Sequence, residues 1–350
     1  MIPTMPSSDS SWPPSVNSLV NKWMQELPVA QGERRSSPAF DATFSLIRLL
    51  AEELYVDYQP FPESSPFLER LAEWLDNLRG DSASQQLMFQ LVPWLLFIGR
   101  REMETMYRAA FTGAITQWII DTAALDITQQ DLPANFEKAL QQTWFGSLAG
   151  MDIGSFMRIN KLDQQSLRPD FRVLSSFVKD PEAIIEYLRQ PKRRRQLPYR
   201  RIVVVEDYVG TGTQMKEAAK LLEKIPLPIL ICPIVCGPVG VEMGRQIAAN
   251  SDHVTFREYF QIPPAACLER ERAVEEPEFF EQLRDLLERT WDRINDSSHG
   301  DSQFGFTNGD VPSPALLTIT YLNCPNNAPA LIHRRRSDWK PLFERIVREG

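Results

Sequence analysis

Hydrophobic residues in the first half of the chain recur at intervals of three or four positions, as expected for amphipathic helices. Three such stripes consist of Leu46, Leu49, Leu50 and Leu54, of Leu68, Leu71, Leu75 and Leu78, and of Met103, Met106, Tyr107, Ala110, Phe111, Ala114 and Trp118. We predict a helical region over residues 16–135 whose stripes pack in a core and require no cofactor. The Ser- and Pro-rich residues 1–15 are predicted to form a flexible tail.

The pattern changes near Trp144, where short apolar runs begin to alternate with helical patterns. Apolar runs that indicate strands lie at residues 202–205, 228–236, 254–260 and 316–321. Helical patterns lie at residues 215–222, 241–249 and 278–294, and a terminal helix is predicted from Trp339, Leu342, Phe343 and Ile346. This alternation predicts an α/β domain over residues 136–350, with a mostly parallel sheet flanked by helices.

Composition narrows the class of protein. The chain has 38 basic and 46 acidic side chains, a net charge of −8, which argues against a general nucleic-acid coat protein. No secretory signal is visible, and no apolar run approaches the roughly 20 residues of a membrane-spanning helix. Four cysteines do not make a disulfide framework. We therefore expect a cytoplasmic protein without a membrane partner, and the sequence leaves an oligomer open.

Two clusters of basic residues occur in this chain of net negative charge. Residues 192–195 read Lys-Arg-Arg-Arg and precede Arg200 and Arg201, and residues 334–336 are all arginine. These clusters indicate either recruitment of pyrophosphate or contact with DNA or RNA. The alternative is that they are solvated loops that balance an acidic protein.

The segment with the clearest chemical content is residues 201–214, RIVVVEDYVGTGTQ. A buried strand ends in Glu206 and Asp207, and a Gly-Thr turn then leads into a helix. Glycines expose the backbone N–H groups of a helix N-terminus to an anion, and carboxylates accept hydrogen bonds from a diol. A ribose 5-phosphate meets both requirements. The alternative is an ordinary helix cap, and neither a Walker loop nor a dinucleotide fingerprint is present.

This segment resembles the signature of type I phosphoribosyltransferases. The resemblance implies that Glu206 and Asp207 bind the ribose hydroxyls of phosphoribosyl pyrophosphate. It also implies that the 5-phosphate is bound by the loop residues Gly210, Thr211, Gly212, Thr213 and Gln214. The family usually has a glycine where Thr213 stands and a Thr or Ser where Gln214 stands.

Two further segments extend the resemblance. In type I enzymes an early loop holds pyrophosphate, which makes candidates of Ser147, Asp152, Gly154, Ser155 and Arg158. A plain turn before a capped helix is the alternative. Residues 305–308 and residues 323–329, which include Pro-Asn-Asn at 325–327, form a second polar constellation with the predicted strand at 316–321. The alternative for Pro-Asn-Asn is a tight turn. Together with the E-D-Y-V-G-T-G loop, these segments resemble phosphoribosyltransferase-like effectors of bacterial conflict and antiphage systems, including retrons.

The resemblance implies substitution at C1 of the ribose of phosphoribosyl pyrophosphate or a nucleotide, with Mg²⁺ as cofactor. A glycosyltransferase that acts as a defence-system effector is the favoured interpretation, although the sequence leaves enzymatic activity open. One alternative is a non-catalytic sensor of a nucleotide or ribose phosphate. Another is a structural partner of a reverse transcriptase or other nucleic-acid complex encoded nearby.

Overall fold

A computed structural model describes residues 12–26, 38–58, 65–148, 151, 153–162, 182, 185–186, 198–272, 276–295, 301–306 and 313–346. Within these ranges, no helix is both long enough and apolar enough to cross a membrane. The chain divides into two compact units. The first unit contains residues 1–99, 268–306 and 317–350, and the second contains residues 100–267 and 307–316. The sequence-based boundaries at residues 16 and 136 stay predictions.

The described elements follow in chain order. The helices are α1 Pro14–Glu26, α2 Pro38–Glu53, α3 Phe67–Asp76, α4 Ser82–Leu91, α5 Arg100–Ala110, α6 Thr116–Thr122, α7 Leu132–Gln141, α8 Ile153–Ile159, α9 Thr213–Leu222, α10 Pro238–Ala249, α11 Glu278–Ile294 and α12 Ala330–His333. The strands are β1 Leu96–Ile98, β2 Thr143–Gly146, β3 Arg201–Val209, β4 Ile229–Cys236, β5 Val254–Phe256, β6 Phe260–Gln261, β7 Cys267–Leu268, β8 Asp301–Ser302, β9 Gly305–Phe306, β10 Ala315–Leu316 and β11 Thr318–Thr320. A π-helical turn, Phe111–Ile115, joins α5 to α6.

A parallel sheet forms the centre of the second unit. Its strand order is β2-β3-β4-β5, and β6 pairs in parallel with the end of β4. Val203 lies opposite Leu230, and Ile229 lies opposite Val254. The β-branched run at 202–205 is completely buried, because a parallel sheet is covered by helices on both faces. The predicted α/β class with a mostly parallel sheet and an N-terminal helical region is confirmed.

The sheet has two chemically distinct edges. All its strands run in the same direction, so they begin together at an amino edge and end together at a carboxyl edge. The segments that follow β2, β3 and β4 therefore meet at the carboxyl edge, where ligands bind in open α/β sheets.

Aromatic side chains form the core of the first unit. Tyr55, Phe67 and Phe343 meet there, with the ring of Tyr55 centred 4.4 Å from that of Phe67 and 5.3 Å from that of Phe343. The helical pattern missed strand β1, which pairs in parallel with β11. The predicted stripe on α2 is wrong in part: Leu46 and Leu49 are 42% and 54% exposed, and Ile47 is buried instead.

The predicted terminal helix is wrong: residues 334–346, all of them described, form no helix. Trp339, Leu342 and Phe343 are nevertheless buried. Polar side chains and an earlier carbonyl supply the backbone hydrogen bonds that a helix would have made. The Asn77 side chain bonds both the N–H and the carbonyl of Lys340, and the N–H groups of Leu342 and Phe343 donate to the Ile332 carbonyl. Helical spacing here reflects burial of an irregular segment.

Two predicted strands are each divided. The run at 254–260 forms β5 and β6, which pair with different parts of β4. The run at 316–321 contributes to β10 and β11, with Leu317 between them. Each run is apolar over most of its length, so the sequence pattern did not predict that the strand is interrupted.

Candidate functional site

The Gly-Thr loop, residues 210–214, lies at the carboxyl edge of the sheet, where β3 ends and α9 begins. Gly212 is the N-cap of α9 and has a left-handed backbone, with φ of +78°, which favours glycine. No described side chain caps this helix, and its ladder begins with the Lys216 N–H donating to the Gly212 carbonyl at 2.8 Å. The N–H groups of Thr213, Gln214 and Met215 precede that bond, so they have no acceptor within the helix. They form a partial positive charge suited to an anion.

Two hydroxyl groups border this helix end. The Oγ1 atoms of Thr211 and Thr213 lie 3.1 Å apart, and both residues are partly buried. Gln214 is exposed on the first turn of α9. The structure thus brings the predicted phosphate-binding residues together around one helix N-terminus, although their role in phosphate binding stays a prediction.

Two glycines at the start of α10 allow the helix to pack beneath the loop. A Cβ on Gly240 would lie 2.7 Å from the Gly210 carbonyl oxygen, and one on Gly237 would lie 2.9 Å from the same atom. Both distances are shorter than a tolerable contact, so neither position admits a side chain without moving backbone. Sequence reasoning missed these positions, although the G-P-V-G spacing just after a buried strand was a usable signal.

The two adjacent acids differ in their surroundings. Glu206 is only 5% exposed, and its Oε1 accepts a hydrogen bond from the Leu148 N–H in the segment after β2. Asp207 is half-buried, and successive strand residues point to opposite faces of a sheet. Glu206 therefore connects β3 to the segment after β2, while Asp207 is the more accessible carboxylate. Their role on ribose hydroxyls stays a prediction.

The candidate pyrophosphate loop follows β2, the neighbour of β3. Ser147 is fully buried, and its Oγ donates to the Met151 carbonyl at 3.4 Å, while the next residue contacts Glu206. Gly154, Ser155 and Arg158 lie on α8, where Arg158 donates to the Ser155 hydroxyl at 3.0 Å. Asp152 lies outside the described residues. The structure therefore joins the start of this loop, at Ser147, to the acidic pair.

Arg200 and Arg201 lie away from the Gly-Thr loop. Arg201 is the first residue of β3 and the loop follows the last, which separates them by roughly 26 Å at the usual rise of a strand. Arg200 and Arg201 therefore lie at the opposite edge of the sheet from this loop, and the interpretations of the basic clusters stay predictions. Residues 192–195 lie outside the described residues. In the C-terminal cluster, Arg335 pairs with Glu344 at 2.6 Å, and Arg336 donates to the Asn295 carbonyl.

The Pro-Asn-Asn segment packs against the β8–β9 hairpin in the first unit. The Phe306 N–H donates to the Asn326 carbonyl at 2.7 Å, and the Asn327 side-chain amide donates to the Phe306 carbonyl at 3.0 Å. Gly305 has φ of +92°, and a Cβ there would lie 2.6 Å from the Ala328 carbonyl oxygen. The structure thus brings the two halves of the predicted constellation together through hydrogen bonds typical of a tight turn. Residues 307 and 308 lie outside the described residues.

No group of three or more His, Cys, Asp or Glu side chains that could hold a metal occurs among the described residues. Cys232 and Cys236 are completely buried in β4, as expected for packing cysteines. Burial raises the pKa of the Cys232 thiol to about 12 and raises the pKa of Cys236 as well, so both stay protonated near neutral pH. The Glu206–Asp207 pair therefore remains the main acidic feature of the carboxyl edge.

Comparison with protein families shows which family this chain belongs to. The model of the family described as PRTase-CE matches residues 71–345, which cover more than half of the chain and include the sheet, the Gly-Thr loop and the Pro-Asn-Asn segment. Comparisons with curated proteins and with solved structures gave no match. The chain thus belongs to the PRTase-CE family and is a phosphoribosyltransferase-like protein.

Proposed function

We propose that this protein binds phosphoribosyl pyrophosphate or a nucleotide at the carboxyl edge of its sheet and catalyses substitution at C1 of the ribose. The observation that carries the proposal is the N-terminus of α9, which no described side chain caps and which closely follows Glu206 and Asp207. Membership of the PRTase-CE family supports phosphoribosyl transfer or nucleotide binding.

Each part of the carboxyl edge has a role in this reaction. The N–H groups at the start of α9, with the Thr211 and Thr213 hydroxyls, bind the 5-phosphate. Asp207 accepts hydrogen bonds from the ribose hydroxyls, and Glu206 holds the segment after β2 in position through the Leu148 N–H. The C1–O bond then breaks with its electron pair leaving on pyrophosphate, and a base nitrogen forms the new C1–N bond and loses its proton. Positive charge that develops on the ribose ring is stabilised by the Asp207 carboxylate.

A divalent cation fits this arrangement without a dedicated cage of protein ligands. Mg²⁺ is usually held by one or two carboxylates together with substrate phosphates and water, and Asp207 provides the accessible carboxylate at this edge. When bound, Mg²⁺ neutralises charge on the pyrophosphate leaving group.

The direct test is turnover by the full chain. Purified protein is incubated with labelled phosphoribosyl pyrophosphate, Mg²⁺ and a panel of nucleobases, and in the reverse direction with nucleotides and pyrophosphate. We expect release of pyrophosphate, or of free base in reverse, and Asp207→Asn should lower the rate about 100-fold or more. Asp252→Asn, an exposed aspartate in the same unit, is the matched control. Equal rates for wild type and Asp207→Asn would overturn the assigned role.

A second candidate function is a sensor that binds the same ligand without chemistry. Two observations favour it: Glu206 is buried and bonded to the Leu148 N–H, and Gln214 has no hydroxyl. Calorimetry with phosphoribosyl pyrophosphate distinguishes the two functions. Binding that Thr211→Val weakens, with no product from any base, would identify the sensor.

We also propose that the protein acts as an effector of a bacterial defence system, with phosphoribosyl pyrophosphate or nucleotides as its target. The support is the resemblance of the E-D-Y-V-G-T-G loop and the Pro-Asn-Asn segment to such effectors. Expression together with the neighbouring genes should protect cells from phage, and Asp207→Asn should abolish protection. Salt-sensitive co-purification with a neighbouring reverse transcriptase, unaffected by Asp207→Asn, would instead indicate a structural partner of a nucleic-acid complex.

A further inference from the structure

A groove of about 540 Å³ lies at the amino edge of the sheet, opposite the Gly-Thr loop. It is bounded by the residues that lead into β2, β3 and β4, by α7, and by the end of α6. Gln142, Arg200 and Leu227 come from the strand entries, and Lys138 comes from α7. The groove is thus built by five parts of the second unit.

The charge in this groove has one sign. Lys138, Arg200 and Arg201 line it, and none of the described residues that line it is acidic. Among the described residues, no carboxylate forms an ion pair with any of these three side chains. The carboxyl ends of α6 and α7 together contribute at most about one negative charge, which leaves about two of the three positive charges unbalanced.

The burial of Arg201 makes the unbalanced positive charge unfavourable for the stability of the fold. The residue is 5% exposed, its Nη1 donates to the Ala139 carbonyl at 2.8 Å, and its Nε has no hydrogen-bond partner in the described part of the chain. Burial, and then the charge of Arg200, lower the pKa of its guanidinium. A buried charge without a counter-ion is strongly destabilising, so an anion in the groove would remove a cost that the protein alone does not offset.

We propose that this groove binds a small polyphosphate anion of the nucleoside di- or triphosphate class. The volume falls within the range of about 300–1,000 Å³ typical of small-molecule sites. The positively charged lysine and arginine side chains can form ion pairs with the phosphates. The Leu125 and Leu227 side chains give an apolar surface against which a base can pack. The amides of Asn135 and Gln142 offer hydrogen bonds to polar ring atoms.

The groove favours a small ligand over a nucleic-acid strand. Its most deeply buried cation, Arg201, lies among residues from three strand entries, and a strand of DNA or RNA would contact only the exposed Lys138 and Arg200. This site does not depend on the proposed function, because it lies at the opposite edge of the sheet from the Gly-Thr loop.

The test measures binding of ATP, GTP and inorganic pyrophosphate to the full chain by calorimetry, with hydrogen exchange to identify the site. We expect ATP or GTP to protect residues 132–142 and 198–203 from exchange. The double variant Lys138→Gln/Arg200→Gln should lower the affinity at least tenfold, because both changes remove exposed charge that would face the phosphates. The matched control is Lys220→Gln/Arg108→Gln, which removes two exposed charges elsewhere in the same unit.

Each remaining result overturns the proposal. Absence of binding by wild-type protein does so, as does equal affinity in the two double variants, or protection confined to residues 210–222. Tighter binding of a single-stranded oligonucleotide than of any nucleotide, with the same loss in the double variant, would assign the groove to nucleic acid. Asp207→Asn should leave this binding unchanged, so failure here is distinguishable from failure of the site at the carboxyl edge.

Discussion

The two units use buried polar side chains in different ways. In the first unit the Arg70 Nε donates to the Leu342 carbonyl at 3.0 Å and the Trp74 Nε1 donates to the Leu331 carbonyl at 2.8 Å, so these groups hold irregular backbone in place. In the second unit the parallel sheet satisfies the backbone itself. Its polar side chains collect at the two edges, where Thr211 bonds Thr213 and the Arg201 Nε has no described partner. Each unit has a buried arginine with a nitrogen that lacks a described partner, the Arg70 Nη2 and the Arg201 Nε, and it is Arg201 that lines a groove together with further cations.

The largest expected effect tests whether buried polar side chains of the first unit stabilise its irregular backbone. Trp74 is completely buried, and Trp74→Ala removes both its packing and its hydrogen bond to Leu331. We expect the free energy of unfolding to fall by about 4 kcal/mol, measured by urea denaturation. Trp94→Ala is the control, because Trp94 is 38% exposed and should cost less than half as much. Similar losses for both variants would contradict the comparison.

The next effect is the pH dependence of stability that the buried His333 causes. His333 is buried, and burial, followed by the charge of Arg345, lowers its pKa to about 4. The unfolded chain, with a histidine pKa near 6.5, binds more protons than the folded chain between these values. Stability from His333 is therefore fully present above about pH 6.5 and is lost as the pH falls, by about 3 kcal/mol at pH 4.

His333→Gln isolates this contribution. The variant should lose less stability than wild type between pH 6.5 and 4. Denaturation curves at a series of pH values measure the difference. A slope in His333→Gln as steep as in wild type would mean that other groups cause the pH dependence.

A smaller effect tests the carboxyl edge of the second unit. Gly240→Ala places a Cβ against the Gly210 carbonyl oxygen and should cost about 1–3 kcal/mol while weakening ligand binding at the Gly-Thr loop. Gly113→Ala is the control in the same unit, because a Cβ there meets nothing within 4 Å. If both variants bind phosphoribosyl pyrophosphate equally well, the close packing of α10 against Gly210 does not position the loop.

The smallest effect tests whether the cations of the amino edge serve the fold. Arg200 is exposed and adjacent to Arg201 in the sequence, and no described carboxylate pairs with it. Arg200→Gln should change the free energy of unfolding by no more than about 0.5 kcal/mol, with an increase expected because repulsion is relieved. A loss greater than about 1 kcal/mol would mean that Arg200 is structural, as polar groups of the first unit are.

Local pattern predicted much of the second unit. The run at 202–205 has the composition of a buried strand, and glycines after two acids indicated a turn into a helix. The same reasoning could not find the groove, because Lys138 and Arg200 lie far apart in the sequence and meet only through the sheet. It also could not predict that Glu206 and Asp207 have different surroundings, since the contact of Glu206 with Leu148 joins β3 to a segment 58 residues earlier in the chain.

Local pattern was less reliable in the first unit. Residues 339–346 have helical spacing, yet side chains such as Asn77 supply their hydrogen bonds from far along the chain. On α2, leucines at the correct spacing lie outward and Ile47 is buried. Periodicity records which residues are apolar. Whether the backbone of an apolar segment forms a helix depends on hydrogen-bond partners that lie far away in the sequence, such as Asn77 for Lys340.

The first unit is interrupted twice by the second, and Phe343 completes an aromatic cluster that begins with Tyr55. During synthesis on the ribosome, the parallel sheet has all its described strands once residue 261 has emerged, whereas the aromatic core must wait for almost the entire chain. A cell therefore makes the sheet with both its edges before the first unit can close. Premature termination near residue 330 would release a polypeptide that has the sheet but lacks this part of the aromatic core.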